Sequence, residues 1–472
     1  MKLPDEFISY TKELMGESLF SLYMKGIDEE APVSVRLNPF KCPHGVSLTD
    51  DVVSESVPWC PNTGKYLKRR ANFTFDPLLH AGLYYVQEAS SMLVDLVVRQ
   101  YIQQPVTMLD LCAAPGGKST ALRAALPEGS LLFSNEPMRT RSQILSENLQ
   151  KFGHPDIIVT NNYPKDYRMS KIQFDAILAD VPCSGEGMFR KDEGAIKEWS
   201  TANVNNCWQL QRSIVEDIWD CLKPGGLLIY STCTFNAHED EENVYWIMEN
   251  LGADLVSLPI EPSWNITGNL IGKDPMYHFI PGVSRGEGLF LAVLRKKGNC
   301  EISEKKNKCK TKTEKKERKG KNTSVIPTDW LAPDQEWEYL ENEMGIYAMK
   351  SCWKQVWNQA YKSLKVIHAG IKMGTVKGKD LIPDQSLALS TQLHNQHFPT
   401  SDLSYADAVK YLRKEAVSLP VDTPKGYVIV TYRGIPLGWV KNLGNRANNL
   451  YPQEWKIKSS HIPDGDNNIL IW

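Results

Sequence analysis

At 472 residues the chain exceeds what one hydrophobic core usually serves, so two to four domains are expected. Its residues are 42% hydrophobic and 23% charged, as in a globular protein, and a net charge of −2 excludes a uniformly basic nucleic-acid binder but not a local basic groove. No apolar run approaches the roughly 20 residues that cross a bilayer, and ten cysteines without framework spacing or a CxxC pair point to reduced cytoplasmic thiols rather than disulfides or zinc.

The acidic, amphipathic start MKLPDEFISYTKELMG reads as a helix and lacks a secretory pattern. Pro32–Pro39, PVSVRLNP, alternates like a short strand and carries Arg36 and Asn38. Trp59, Lys65, Tyr66, Lys68, Arg69 and Arg70 follow, either an RNA-contacting surface or a solvated turn beside a core tryptophan. Tyr84–Leu96 has the spacing of an amphipathic helix.

From 106 to 295 strands and helices alternate. Candidate strands are Val106–Leu111, Leu131–Ser134, Ile157–Thr160, Phe174–Ala179, Leu227–Ser231, Leu255–Leu258 and Leu289–Leu294, with helical stretches such as Thr140–Phe152 and Ala202–Leu222 between the first five. The pattern predicts an α/β fold with a doubly wound parallel sheet and an antiparallel end. Lys305–Lys321 has ten Lys or Arg against two Glu, the composition of a tether that also attracts phosphates. Beyond Pro327 the composition is globular again. Ser404–Ala416 reads as a helix, Gly426–Lys441 as a β-hairpin around a glycine turn, and NNLYPQEW closes a small β-rich module.

Four segments fall at the carboxyl ends of predicted parallel strands, where such sheets bind ligands. In VTMLDLCAAPGGK the strand ends at Asp110 and breaks into Cys112, Ala113, Ala114, Pro115, Gly116, Gly117 and Lys118 before a helix begins. The glycines admit a ligand close to the backbone and the helix start offers free amides, although such a turn can also serve packing alone. Glu136, about 20 residues past that turn, suits ribose hydroxyls or the dipole of the next helix. FDAILADVPCSGEGMFRK supplies Asp180, Pro182 and Cys183; LLIYSTCTFNAHEDEEN supplies Cys233, with Asn236 and Glu239 as a helix cap.

A lone buried cysteine is usually an inert small hydrophobe. Two at one sheet edge can flank a single bound group if their strands are neighbours, about 4.8 Å apart. Lys118, Arg190 and Lys191 are the candidates to lower a thiol pKa. A thiolate adding to carbon 6 of a pyrimidine makes carbon 5 nucleophilic toward the methyl group of a sulfonium cofactor. Asp180 could hold the exocyclic amine and ring nitrogen of a flipped cytosine, and the second thiol could take the carbon-5 proton. These residues leave open which cysteine attacks.

LDLCAAPGGKS, NEPMRTR, DAILADVPCSGEGMFRK and YSTCTFNAHEDEENV together resemble the Sun-type (NOL/NOP/Sun) family of S-adenosylmethionine-dependent RNA cytosine-5 methyltransferases, over roughly Arg36 to Arg295. SVRLNP and AGLYYVQEASSM resemble that family's RNA-recognition-like N-terminal region, and LGWVKN and NNLYPQEW resemble the PUA-like module of its bacterial, RsmF-type ribosomal branch. The resemblance implies a Rossmann-like class I methyltransferase sheet with an α+β region before it and α+β and PUA-like β-rich modules after it. The implied divisions are an RNA-binding region over 1–100, the methyltransferase domain over 101–297, a Lys-rich linker over 298–325, a middle domain over 326–400 and the PUA-like domain over 401–472.

By the same resemblance Cys233 is the covalent nucleophile, Cys183 assists release, and S-adenosylmethionine lies on Cys112–Lys118, Glu136, Arg141 and Asp180. DNA cytosine-5 methyltransferases attack with the Pro-Cys cysteine, which keeps Cys183 as the alternative. Tyr163 stands where many relatives carry aspartate, leaving Asn161 to hold the adenine side. The expected partner is 16S ribosomal RNA or the small subunit, with transfer RNA the alternative, and a cytoplasmic monomer without metal or membrane is expected. A non-catalytic ribosome-assembly protein would not need the two thiols, and a Rossmann oxidoreductase would show G-x-G-x-x-G.

Overall fold

The computed structural model describes residues 2–298, 326–378, 380–394, 396–459 and 465–472; the Lys-rich run at 305–321 lies outside them. Helix α1 (Asp5–Gly26) bends at Gly16, whose φ of 72° departs from helical geometry. Strands β1 (Val33–Leu37), β2 (Ser47–Leu48), β3 (Val53–Ser56), β4 (Gly64–Leu67) and β5 (Tyr84–Val86) follow, and four of them form a sheet in the order β3-β4-β1-β5. Trp59 and Tyr66 are buried in the core, leaving Lys68, Arg69 and Arg70 as the exposed part of that segment.

Tyr84–Leu96 is not one helix. Tyr84–Val86 pairs with β1, Leu37 opposite Tyr84, and the Glu88 carboxylate accepts the Ser90 and Ser91 amides at 2.9 and 3.0 Å. That cap fixes a new start after the one-turn helix α2 (Pro77–His80), and the helix proper, α3, runs Leu93–Tyr101. Helical spacing cannot separate a strand plus capped turn from a longer helix when the strand is this short.

The central sheet contains β6 (Thr107–Asp110), β7 (Leu131–Asn135), β8 (Ile157–Thr160), β9 (Phe174–Asp180), β10 (Leu222–Thr232), β11 (Ala253–Leu255), β12 (Met276–Phe279) and β13 (Leu289–Lys296). Its path is β11-β13-β10-β9-β6-β7-β8, with β12 paired to β13. Pairings from β10 through β8 are parallel and those of β11, β12 and β13 antiparallel, as the sequence pattern predicts. Leu109, Phe133, Ile158, Ile177 and Leu228 are fully buried along it, matching the apolar runs of strands covered on both faces. The strand order reverses between β6 and β9, which opens a crevice at their carboxyl ends.

The segment after 326 does not form a self-contained middle unit. Strands β14 (Trp337–Asn342) and β15 (Gly345–Lys350) begin a separate sheet, but β16 (Val366–Ala369) pairs antiparallel with β8 and extends the central one. Ile367, Ala369 and Tyr347 pack against the same apolar faces. Further on, the hairpin Gly426–Tyr432 and Ile435–Asn442 forms as predicted, turning at Arg433 and Gly434, both of positive φ.

Candidate active site

At the end of β6 the Asp110 carboxyl accepts Ser119 Oγ at 2.6 Å through Oδ2, while Oδ1 is buried without a partner among the described residues. Burial pushes its pKa up to about 7. The chain then turns through Gly116, whose φ of 116° is accessible to glycine and strained for other residues, into helix α4 (Gly117–Ala125). The turn is tied down from outside: Ala113 N–H donates to Asn135 O at 2.8 Å, Arg141 to Ala114 O at 3.0 Å and Asn148 to Pro115 O at 2.8 Å. Cys112 inside it is held as a thiol, first by burial and then by the nearby carboxylates.

Glu136, 2% exposed, accepts the Met138 amide at 2.9 Å and stands 3.7 Å from Arg141. Asn161 does not present a free amide as a substitute for the missing aspartate would. Its Nδ2 donates to Glu136 O at 2.9 Å and Pro137 O at 2.8 Å, and its Oδ1 accepts Lys365 Nζ at 2.7 Å. Asn161 therefore braces the loop, and Lys365, which leads into β16, adds a backbone bond from Asn161 N at 3.0 Å. Tyr163 is 61% exposed beside it.

Strands β9 and β10 are neighbours, with Asp180 opposite Ser231, so the segments that follow them leave the sheet side by side. Cys183 and Cys233 are brought together, their Sγ atoms 3.0 Å apart, and the Cys233 amide donates to Cys183 Sγ at 3.3 Å. Both thiols are partly exposed. Contact with Cys233, reinforced by burial, holds Cys183 in the thiol form. Asp180 is gripped from two sides, by Lys118 Nζ at 2.8 Å and by Ser231 Oγ at 3.0 Å. That contact joins the glycine turn to the cysteine pair. Arg190 and Lys191 are not part of it: Arg190 pairs with Glu287 at 3.0 Å and Lys191 reaches the same carboxylate at 3.5 Å.

Two carboxylates that sequence reasoning gave no role at the thiols shape these loops. Glu186 is buried and accepts Trp199 Nε1 at 2.9 Å, Phe235 N at 2.9 Å and Asn236 Nδ2 at 3.1 Å. Its neighbour Gly187 donates to Cys233 O at 2.9 Å. Glu239, read as a helix cap, also accepts Ser184 N at 3.0 Å and Gln211 Nε2 at 2.7 Å. The loops bearing both cysteines thus share one hydrogen-bonded frame. The only sequence signal for Glu186 is a carboxylate between two glycines directly after the Pro-Cys.

The family described as 16S rRNA methyltransferase RsmB/F matches residues 101–295, its RsmF N-terminal domain matches 3–89 and the methyltransferase RsmF PUA domain matches 398–457. Residues 101–295 therefore belong to the RsmB/F methyltransferase family. It is 28% identical to the ribosomal RNA small subunit methyltransferase F of Enterobacter sp. (strain 638), over 96% of this chain and 95% of the relative. The Klebsiella pneumoniae (strain 342) protein of the same name is 26% identical, over 96% of each. In fold the chain is similar to the crystal structure of NSun6 from Pyrococcus horikoshii with SFG, with a TM-score of 0.52, 19% identity, and 63% of this chain and 99% of that one covered. The segment between 295 and 398, which includes Lys365 and β16, falls between the matched RsmB/F and PUA regions.

Proposed function

We propose that this protein transfers a methyl group from S-adenosylmethionine to carbon 5 of a cytosine in 16S ribosomal RNA, through a covalent adduct on Cys233. The observation that carries the reading is the pair of thiols 3.0 Å apart beside an aspartate that is itself bound to the lysine of the glycine turn. The ribosomal substrate rests on family membership and on the names of the relatives.

The residues present fit the cofactor. Helix α4 starts at the turn 112–118 without a side-chain cap, Asp110 Oδ1 has no partner among the described residues, and Glu136 and Arg141 line the next strand end. When bound, S-adenosylmethionine supplies an electrophilic methyl group. The protein's own residues do the rest. Asp180, oriented by Lys118 and Ser231, holds the exocyclic amine and N3 of a flipped cytosine. The Cys233 thiolate, accepting the Cys183 S–H, forms a bond to carbon 6 and the electron pair moves to carbon 5. With Cys233 bonded to the base, Cys183 passes its proton to solvent and becomes the base of the last step. Once carbon 5 carries the methyl group, Cys183 takes the carbon-5 proton, the C6–S bond breaks and the Cys233 thiolate leaves.

The test is to incubate the full chain with methyl-labelled S-adenosylmethionine and either small-subunit RNA or transfer RNA, then digest and weigh the nucleosides. Label in 5-methylcytidine from 16S RNA is expected. Label on another atom refutes the chemistry, and label confined to transfer RNA refutes the substrate.

A further inference from the structure

Arg36 belongs to a strand outside the methyltransferase sheet, yet it is 1% exposed and meets no carboxylate at bonding distance among the described residues. Its Nε donates to Gln87 Oε1 at 2.8 Å and its Nη2 to Thr120 Oγ1 at 2.6 Å. Burial lowers its pKa, so the charge is kept there against a desolvation cost. Thr120 lies in the first turn of α4. Its hydroxyl, accepting from Arg36, sends its single proton toward Gly116 O at 2.9 Å and Gly117 O at 3.0 Å. The same N-terminal sheet backs the turn elsewhere: a Cβ on Gly117 would stand 3.4 Å from the Tyr85 ring.

We propose that Arg36 is a positioning residue for the cofactor turn, acting through Thr120, so that the N-terminal region is part of the cofactor site rather than only a contact surface for RNA. The argument is geometric. Gly116 has a left-handed backbone that other residues rarely adopt, and the direction of the Gly117 amide follows from where the Gly116 carbonyl points. Thr120 pins that carbonyl, and the guanidinium removes the rotational freedom of the Thr120 hydroxyl. Without Arg36 the hydroxyl could turn away and the peptide between the two glycines would keep only the Thr120 N–H bond to Gly116 O, at 2.9 Å, of the two that fix its attitude. Asn38, just past the same strand, donates to Gly82 O and Phe152 O, at 2.8 and 2.9 Å, and clamps the N-terminal region to the end of the methyltransferase helix Arg139–Phe152 at a second point.

This rests on the reading that the turn holds S-adenosylmethionine. Thr120→Val keeps the side-chain shape and removes all three hydrogen bonds of the hydroxyl, whereas Thr120→Ser keeps them. In the full chain without RNA, Thr120→Val is expected to raise the S-adenosylmethionine dissociation constant about tenfold, the cost of roughly one strained hydrogen-bonded network. It should also speed amide hydrogen exchange of the 113–120 peptide in the free protein, with Thr120→Ser within twofold of the parent in both. Gln87→Met, which frees the guanidinium from one side, should show a smaller loss of the same kind. RNA affinity should be unchanged in all three. Cofactor affinity and exchange unaltered in Thr120→Val and Gln87→Met would overturn the proposal, as would a loss of RNA affinity with cofactor affinity intact. A parent chain that binds no S-adenosylmethionine would instead sink the underlying reading, while its exchange data would still report on the Arg36–Thr120 brace.

Discussion

Replacing Glu186 with glutamine tests whether the frame around the cysteines is what holds them in place. The carboxylate takes three donors: Trp199 Nε1 and Asn236 Nδ2 on Oε1, Phe235 N on Oε2. Glutamine offers one oxygen. If that oxygen keeps Trp199 and Asn236, the amide group faces the Phe235 N–H, donor against donor, and a buried amide goes unpaired at a cost of about 1–3 kcal/mol. The two retained bonds lose their charged acceptor, about 1 kcal/mol each. The total is about 3–5 kcal/mol, concentrated on the loop that begins at Cys233. Urea denaturation followed by tryptophan fluorescence should show that loss as a lower midpoint. A shift of the Cys233 thiol by about 1 Å should also slow single-turnover methyl transfer roughly 100-fold. A midpoint and single-turnover rate equal to those of the parent would refute the frame.

Two further outcomes follow from the same geometry. Asp110 titrates near pH 7 in the folded chain, against about 4 unfolded. The native state therefore binds a proton that the unfolded chain has lost, and this group's contribution to stability falls as pH rises between those values. Asp110→Asn should flatten that part of the profile, its denaturation midpoint gaining on the parent's from pH 5 to 7.5; a constant difference would count against a buried protonated carboxyl. Lys118→Met leaves Asp180 with Ser231 alone, and since the Lys118 and Asp180 side chains are only 17% and 28% exposed the stability cost should be about 1–3 kcal/mol. Turnover should fall about 100-fold, as when a preorganised charged contact is lost; turnover unchanged within threefold would separate the lysine from the reaction.

What could be read from the residues was the part governed by local pattern. Apolar runs ending in Asp110, Asn135 and Asp180, with helices between, fixed a parallel sheet whose strand ends carry the distinctive segments. The neighbour relation of β9 and β10 then put Cys183 beside Cys233. What stayed hidden depends on contacts between distant parts of the chain. Arg36 finds Thr120 across 84 positions and Lys365 finds Asn161 across 204, and no periodicity encodes either. The strand β16 is only four residues long, so its membership of the central sheet is decided by the free edge of β8 rather than by its own propensity. Arg190 and Lys191 were plausible partners for a thiolate by proximity in sequence, but Glu287 takes both.

The central claim is that Cys233 bonds to the base and Cys183 frees it. Each cysteine is changed to alanine in turn, the full chain is mixed with 16S RNA and S-adenosylmethionine, and the products are resolved on a denaturing gel. Cys183→Ala should accumulate a covalent protein–RNA complex and Cys233→Ala should form none. A complex in Cys233→Ala and none in Cys183→Ala would reverse the two roles, and no complex in either would contradict the covalent route.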